Sequence, residues 1–115
     1  MPQRTLLLRP QKLTDWNGRK LDKRIKTQIR VGNHVRALFE TLDGKGWNTV
    51  YLKITKQCKK NKNWFVGLVD DPYYGEDPYF MFKNGTQRTF SIHHIIELPL
   101  EWKDNSNLKK HAKFV

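Results

Sequence analysis

The stretch NTVYLKIT, residues 48–55, decides the class of fold. Val50, Leu52 and Ile54 alternate with Thr49, Tyr51, Lys53 and Thr55, so a period of two puts three apolar side chains on one face and polar or amphipathic ones on the other. Val, Ile, Thr and Tyr suit a pleated, half-buried surface. A helix would turn Leu52 away from Val50 and Ile54, because only positions three or four apart share a helical face. The stretch reads as a strand with one buried side.

The same alternation extends in both directions. Upstream, VGNHVRALFE (31–40) places Val35, Ala37 and Phe39 on one face and His34, Arg36 and Leu38 on the other, and TLDGKG (41–46) between the two strands supplies turn glycines. Downstream, the polar loop KQCKKNKN (56–63) leads into WFVGLVD (64–70). There Phe65, Gly67 and Val69 alternate with Trp64, Val66 and Leu68, so both faces carry apolar groups and Gly67 marks a bulge or sharp bend. Pro72 and Pro78 exclude DDPYYGEDP (70–78) from a strand interior. YFMF (79–82) resumes a strand, Asn84-Gly85 is a hairpin turn, and 86–92 returns. HHIIEL (93–98) then gives a tight turn and a short closing strand, which Pro99 stops; with His93 and His94 in a strand, their side chains would face opposite ways. The expectation is a mainly β fold, a small barrel or meander of about five strands.

VGNHVRALFET, NTVYLKIT, NWFVGLVDDPYY and TFSIHHIIEL together resemble a family of short bacterial and phage proteins of unknown function. The matching positions are Gly32, Val35, Phe39, Glu40, Val50, Leu52, Ile54, Phe65, Gly67, Val69, Asp70, Pro72, Ile92, Ile95 and Ile96, with departures at Asn33 and Tyr51. The resemblance implies an SH3-like β-barrel over residues 31–98. These are strand and turn residues, so they carry no activity with them.

On this reading the chain divides into a basic N-terminal arm (1–30), the barrel (31–98) and a basic, frayed C-terminal tail (99–115). Apolar residues make up 37% of the 115, which allows one small core. In the arm, Leu21, Ile25 and Ile29 recur every four residues after an Asn17-Gly18 turn, as in a short helix with a thin apolar stripe and a broad cationic face, or an arm ordered only on binding. The apolar run Leu6, Leu7 and Leu8 is too short for a signal-peptide core or a membrane span, so a cytoplasmic protein with no membrane partner is expected.

Charge points to the partner. Lys and Arg total 22 against 11 Asp and Glu, a net +11. The excess gathers at the two ends and in the loop after residue 53, while residues 70–77 are acidic. Such a footprint suits a polyanion. The candidate nucleic-acid-binding residues are Arg19, Lys20, Lys23, Arg24, Lys26, Arg30, Arg36, Lys53, Lys56, Lys59, Lys60 and Lys62 for phosphates, with Tyr51 and Trp64 stacking on bases. Trp47, Tyr73 and Tyr74 are further exposed-aromatic candidates, and tyrosines beside the acidic 70–77 segment could instead cage a cationic side chain.

Chemistry finds little support. His34, His93, His94 and His111 lack the helical pair spacing of a zinc motif, and Cys58 is the only cysteine, so it forms no disulfide within the chain. Cys58 lies among lysines, which would make its thiol more acidic if exposed, but nothing beside it resembles a nucleophile's setting. Neither glycine-rich phosphate motif occurs, and the acidic segment fails the EF-hand register. The expected function is therefore binding, without catalysis, cofactor or metal. The chain reads as a nucleic-acid (RNA or DNA) or ribonucleoprotein-docking module. The alternative is a phage- or virus-type protein-interaction module that docks on a host complex.

Overall fold

The computed structural model describes residues 12–40, 45–72 and 83–115. The expected strand at 79–82, the turn at Asp43-Gly44, Tyr73, Tyr74 and most of the acidic segment lie outside the described residues.

Five strands form one antiparallel sheet: β1 (His34–Glu40), β2 (Trp47–Gln57), β3 (Trp64–Val69), β4 (Gln87–Ser91) and β5 (Ile95–Glu97), in the order β4-β3-β2-β1-β5. The fold is mainly β. Among the described strands the sheet is open, with β4 and β5 at its edges. Its registers bring the apolar positions together: Val35 faces Leu52, Ala37 faces Val50, Leu52 faces Val69, and Phe65 faces Phe90. All of these side chains are buried.

The expected irregularity is present, but on the neighbouring strand. Ile54 pairs with Gly67 and Lys56 with Val66, which leaves Thr55 as the extra residue of a bulge in β2. Gly67 stays in register for a different reason. A Cβ there would lie 3.0 Å from Phe90 Cε1, 3.1 Å from the Lys53 carbonyl oxygen and 3.2 Å from Leu52 Cβ.

The division into a barrel with two extensions is corrected for the described residues. Leu13, Leu21, Ile25 and Ile29 from the first segment, and Leu100 and Leu108 from the last, belong to the same buried cluster as the strand residues. The first segment enters as a tight loop: the Leu21 amide donates to the Leu13 carbonyl at 2.8 Å, and Gly18 takes the turn position at φ 80°. Thr14 then runs alongside β5, donating to Ile96 O at 3.1 Å and accepting from Leu98 N at 2.9 Å, so that sheet edge is covered. The expected helix is a 3₁₀ helix at Lys23–Gln28, with Leu21, Ile25 and Ile29 buried as their spacing requires. The tail is ordered as well. A 3₁₀ turn at Lys103–Asn105 leads into α1 (Ser106–His111), which packs against the Lys23–Gln28 helix. Asn105 is wholly buried: its Oδ1 accepts the His34 amide at 2.9 Å, and its Nδ2 donates to the carbonyls of His34 at 3.0 Å and Pro99 at 2.9 Å. The physical reason is that few apolar residues suffice when they fall where the sheet needs cover; each buried Leu or Ile contributes on the order of 2 kcal/mol.

Candidate nucleic-acid interface

One face of the sheet builds the core; the candidate site lies on the other. On that face Lys53 pairs across to Leu68 and Lys56 to Val66, while Gln87 and Thr89 of β4 flank Leu68 and Val66 from the opposite side. Trp64, Val66 and Leu68 therefore make a stripe along β3 with lysines on its β2 flank. Trp64 and Val66 are partly exposed, and Leu68 is exposed at 38%. At about 3.3 Å per residue the stripe is roughly 13 Å long.

The stripe ends at a cationic loop. Residues 58–63 join β2 to β3, and Lys59, Lys60 and Lys62 are all exposed there. The loop is held in shape rather than left free: Gln57 Nε2 donates to the Lys62 carbonyl at 2.8 Å, the Cys58 amide to Trp64 O at 2.9 Å, and Asn61 Oδ1 accepts the Asn63 amide at 3.0 Å. Among the described residues Lys56, Lys59, Lys60 and Lys62 have no ion-pair partner. Cys58 is partly buried.

A second element brings more charge to this end. The Ile92 amide donates to Asn63 O at 2.7 Å, and the Ile92 carbonyl accepts from Lys26 Nζ at 3.1 Å. Two hydrogen bonds thus tie the lysine loop, the turn after β4 and the Lys23–Gln28 helix together. Burial, with the Lys23 charge beside it, pulls the Lys26 amine down to about 8. That turn is the tight one expected ahead of the closing strand, and it takes in His93 and His94. They lie in a 3₁₀ turn at Ile92–His94, where Ser91 Oγ accepts the His93 amide at 3.2 Å and His94 Nδ1 accepts the Ser91 amide at 2.9 Å. His94 is buried under Trp64, whose ring meets it edge-on at 6.2 Å, and His93 is exposed.

The other sequence candidates lie elsewhere. Arg19 is paired with Asp15 at 3.0 Å and sits 4.0 Å over the Phe114 ring. Arg24 is held by Asp22 at 2.6 Å, and its hydrogen bonds keep that carboxyl near 2. Lys20 is exposed beside the C-terminus, where its carbonyl accepts the Val115 amide at 3.0 Å. Arg36 is bound to Glu97 at 3.2 Å and to Thr49 Oγ1 at 3.0 Å. Arg30 is exposed in a turn whose Gly32 amide donates to Ile54 O at 2.8 Å, next to the bulge that precedes Lys56. Lys53 reaches Asp104 at 3.5 Å.

Tyr51 is the clearest correction. It points to the outer face as its register demands, but the two end segments cover it: the ring lies 4.9 Å from Trp102 and 5.9 Å from Trp16, and its hydroxyl donates to Glu97 Oε2. At 3% exposure it has no face left for a base. Beside it, His34 sits between two carboxylates, with Nε2 2.9 Å from Asp70 Oδ2; Nδ1 lies 3.2 Å from Asp104 Oδ2 but out of line for a hydrogen bond. Val66 and Leu68 were not among the sequence candidates, although their alternation with Phe65, Gly67 and Val69 already placed them on the Trp64 side.

Among the described residues no group of three His, Cys, Asp or Glu side chains is placed to hold a metal ion, and no helix is long and apolar enough to cross a membrane. Comparison with protein-family models, curated proteins and solved structures found no match to this chain.

Proposed function

We propose that this chain is a small SH3-like domain that binds nucleic acid, as a free strand or within a ribonucleoprotein, through the outer face of β2–β3–β4 and the lysine loop. The barrel reading is supported by the strand order, in which β5 lies beside β1 and a 3₁₀ turn separates β4 from β5. The function rests on one observation: the apolar stripe Trp64–Val66–Leu68 runs into a loop whose Lys59, Lys60 and Lys62, with Lys56 beside the stripe, have no carboxylate partner among the described residues. Lysines left unpaired are the ones free to neutralise phosphate and release its counterions.

Electrophoretic mobility shift on RNA and DNA across a salt series tests this. Affinity is expected to fall steeply with salt, and the triple variant Lys59→Gln/Lys60→Gln/Lys62→Gln to flatten the log–log slope by about 2 to 3. Weak binding at low salt, or a slope untouched by the variant, overturns the proposal. A second reading, docking on a protein, is favoured by a cavity of about 230 Å³ walled by the exposed rings of Trp16 and Phe114 over Leu100 and Ala112. Capture of a partner that persists after nuclease treatment and is lost with Trp16→Ala supports that reading.

A further inference from the structure

We infer that the ligand of the β3 face is single-stranded nucleic acid, held by stacking on Trp64 and by lysine–phosphate contacts, without readout of base identity. The inference rests on the nucleic-acid reading above and specifies its substrate class.

The first argument is the shape and chemistry of the face. A duplex hides its base faces in the stack and offers charged backbone and groove edges, which are read by a projecting helix, ribbon or arm. Here the central feature is an apolar stripe lying flat on a sheet, with lysines along one flank and at one end. Against a duplex backbone, Val66 and Leu68 would be set against charged phosphates, and their burial would return nothing. Against a single strand, bases lie on the stripe and the phosphates fall toward Lys56 and the loop. A stripe of roughly 13 Å accommodates about four nucleotides at the ordinary base spacing of about 3.4 Å.

The second argument is the division between arginine and lysine. Bidentate reading of guanine uses the guanidinium fork, and reading of adenine uses a free carboxamide. Arg19, Arg24 and Arg36 are committed to carboxylates, and Arg88 lies 5.5 Å from the Phe39 ring, where burial lowers its basicity. Arg30, exposed and without an ion pair among the described residues, sits in the 30–33 turn rather than on the stripe or its loop. In the loop, the Gln57 amide is spent on the Lys62 carbonyl and Asn61 Oδ1 on the Asn63 amide. The uncommitted cations of the loop are lysines, which meet phosphates as point charges, and the exposed carboxamides of Asn63 and Gln87 stand singly at the two ends of the stripe.

Fluorescence anisotropy with labelled twelve-nucleotide probes tests this: oligo-dT, oligo-dA, oligo-dC, oligo-rU and a mixed-sequence duplex, each across a salt series. Single strands are expected to bind about tenfold or more tighter than the duplex, and the three DNA homopolymers to agree within a few-fold. Trp64→Leu, which keeps an apolar side chain over His94 but removes the ring, should lower single-strand affinity about tenfold and leave duplex binding unchanged. Trp64→Phe, which retains a stacking face, should recover most of it. Equal binding of duplex and single strand with Trp64→Leu silent overturns this inference while leaving the charge-based reading standing. A strong preference for one homopolymer overturns the absence of base readout. Failure of every probe to bind at low salt overturns the nucleic-acid reading itself.

Discussion

The Lys26 ammonium donates to the carbonyl of Ile92 at 3.1 Å, joining residues 66 positions apart in the chain. This one contact fastens the first 3₁₀ helix to the turn between β4 and β5. It also makes the charge on Lys26 a variable of folding and, under the proposed function, of binding.

Burial holds the Lys26 amine at about 8, below its ordinary 10.5. Between those values the unfolded chain binds the extra proton, so this group raises stability as pH climbs from 8 toward 10.5. Urea unfolding of the natural chain and Lys26→Met at pH 7 and pH 10 isolates the effect, because the methionine does not titrate. The difference in midpoint is expected to move in favour of the natural chain at pH 10, and a difference that stays constant contradicts the assignment. An anion at this end favours the protonated amine, so affinity should weaken above pH 8 in the natural chain more than in Lys26→Met.

Asn105→Ala tests whether the last segment belongs to the fold. The substitution strands the His34 amide and the carbonyls of His34 and Pro99, all met by one buried side chain. Unsatisfied buried polar groups cost about 1–3 kcal/mol apiece. A loss of about 3 kcal/mol or more in chemical denaturation is expected, whereas a frayed tail would give almost none.

Much of the sheet was legible because the strands obey one rule: one apolar face, period two. Val35, Ala37 and Phe39, then Val50, Leu52 and Ile54, then Phe65 and Val69 face the core as their spacing requires. The end segments were harder to read because their contribution is sparse. Leu13 and Leu108 stand alone among polar neighbours, and what buries them is a sheet face distant in sequence. Of the site, Trp64 and the loop lysines were visible as an aromatic beside unpaired charge. The withdrawal of Tyr51 was not, because Trp16 and Trp102, the rings that cover it, come from segments read as appendages.

Gly67→Ala probes the tightest point of the sheet. The added methyl meets Phe90 at 3.0 Å, the Lys53 carbonyl at 3.1 Å and Leu52 at 3.2 Å, all of them backbone or packed core rather than flexible tips. Overpacking of this kind costs about 1–3 kcal/mol. Because Gly67 lies between Val66 and Leu68, the strain should also reach the outer stripe, and affinity measured well below the unfolding transition is expected to fall. An alanine tolerated without loss would mean that β3 can move away from β2 at the Thr55 bulge.

Tyr51→Phe and Lys56→Gln separate support from contact. Tyr51 donates to a carboxylate from a buried position, and removing the hydroxyl leaves Glu97 with Arg36 at 3.2 Å but without its phenol. Hydrogen bonds to charged groups are worth about 1.5–3 kcal/mol, so thermal and urea midpoints should drop while nucleic-acid affinity holds. Lys56 is exposed and pairs with Val66 on the stripe, so Lys56→Gln should shift stability by no more than about 0.5 kcal/mol while lowering affinity and the salt slope together. If Tyr51→Phe instead weakens binding at unchanged stability, the ligand reaches the covered half of the sheet, and the end segments must lift away to admit it.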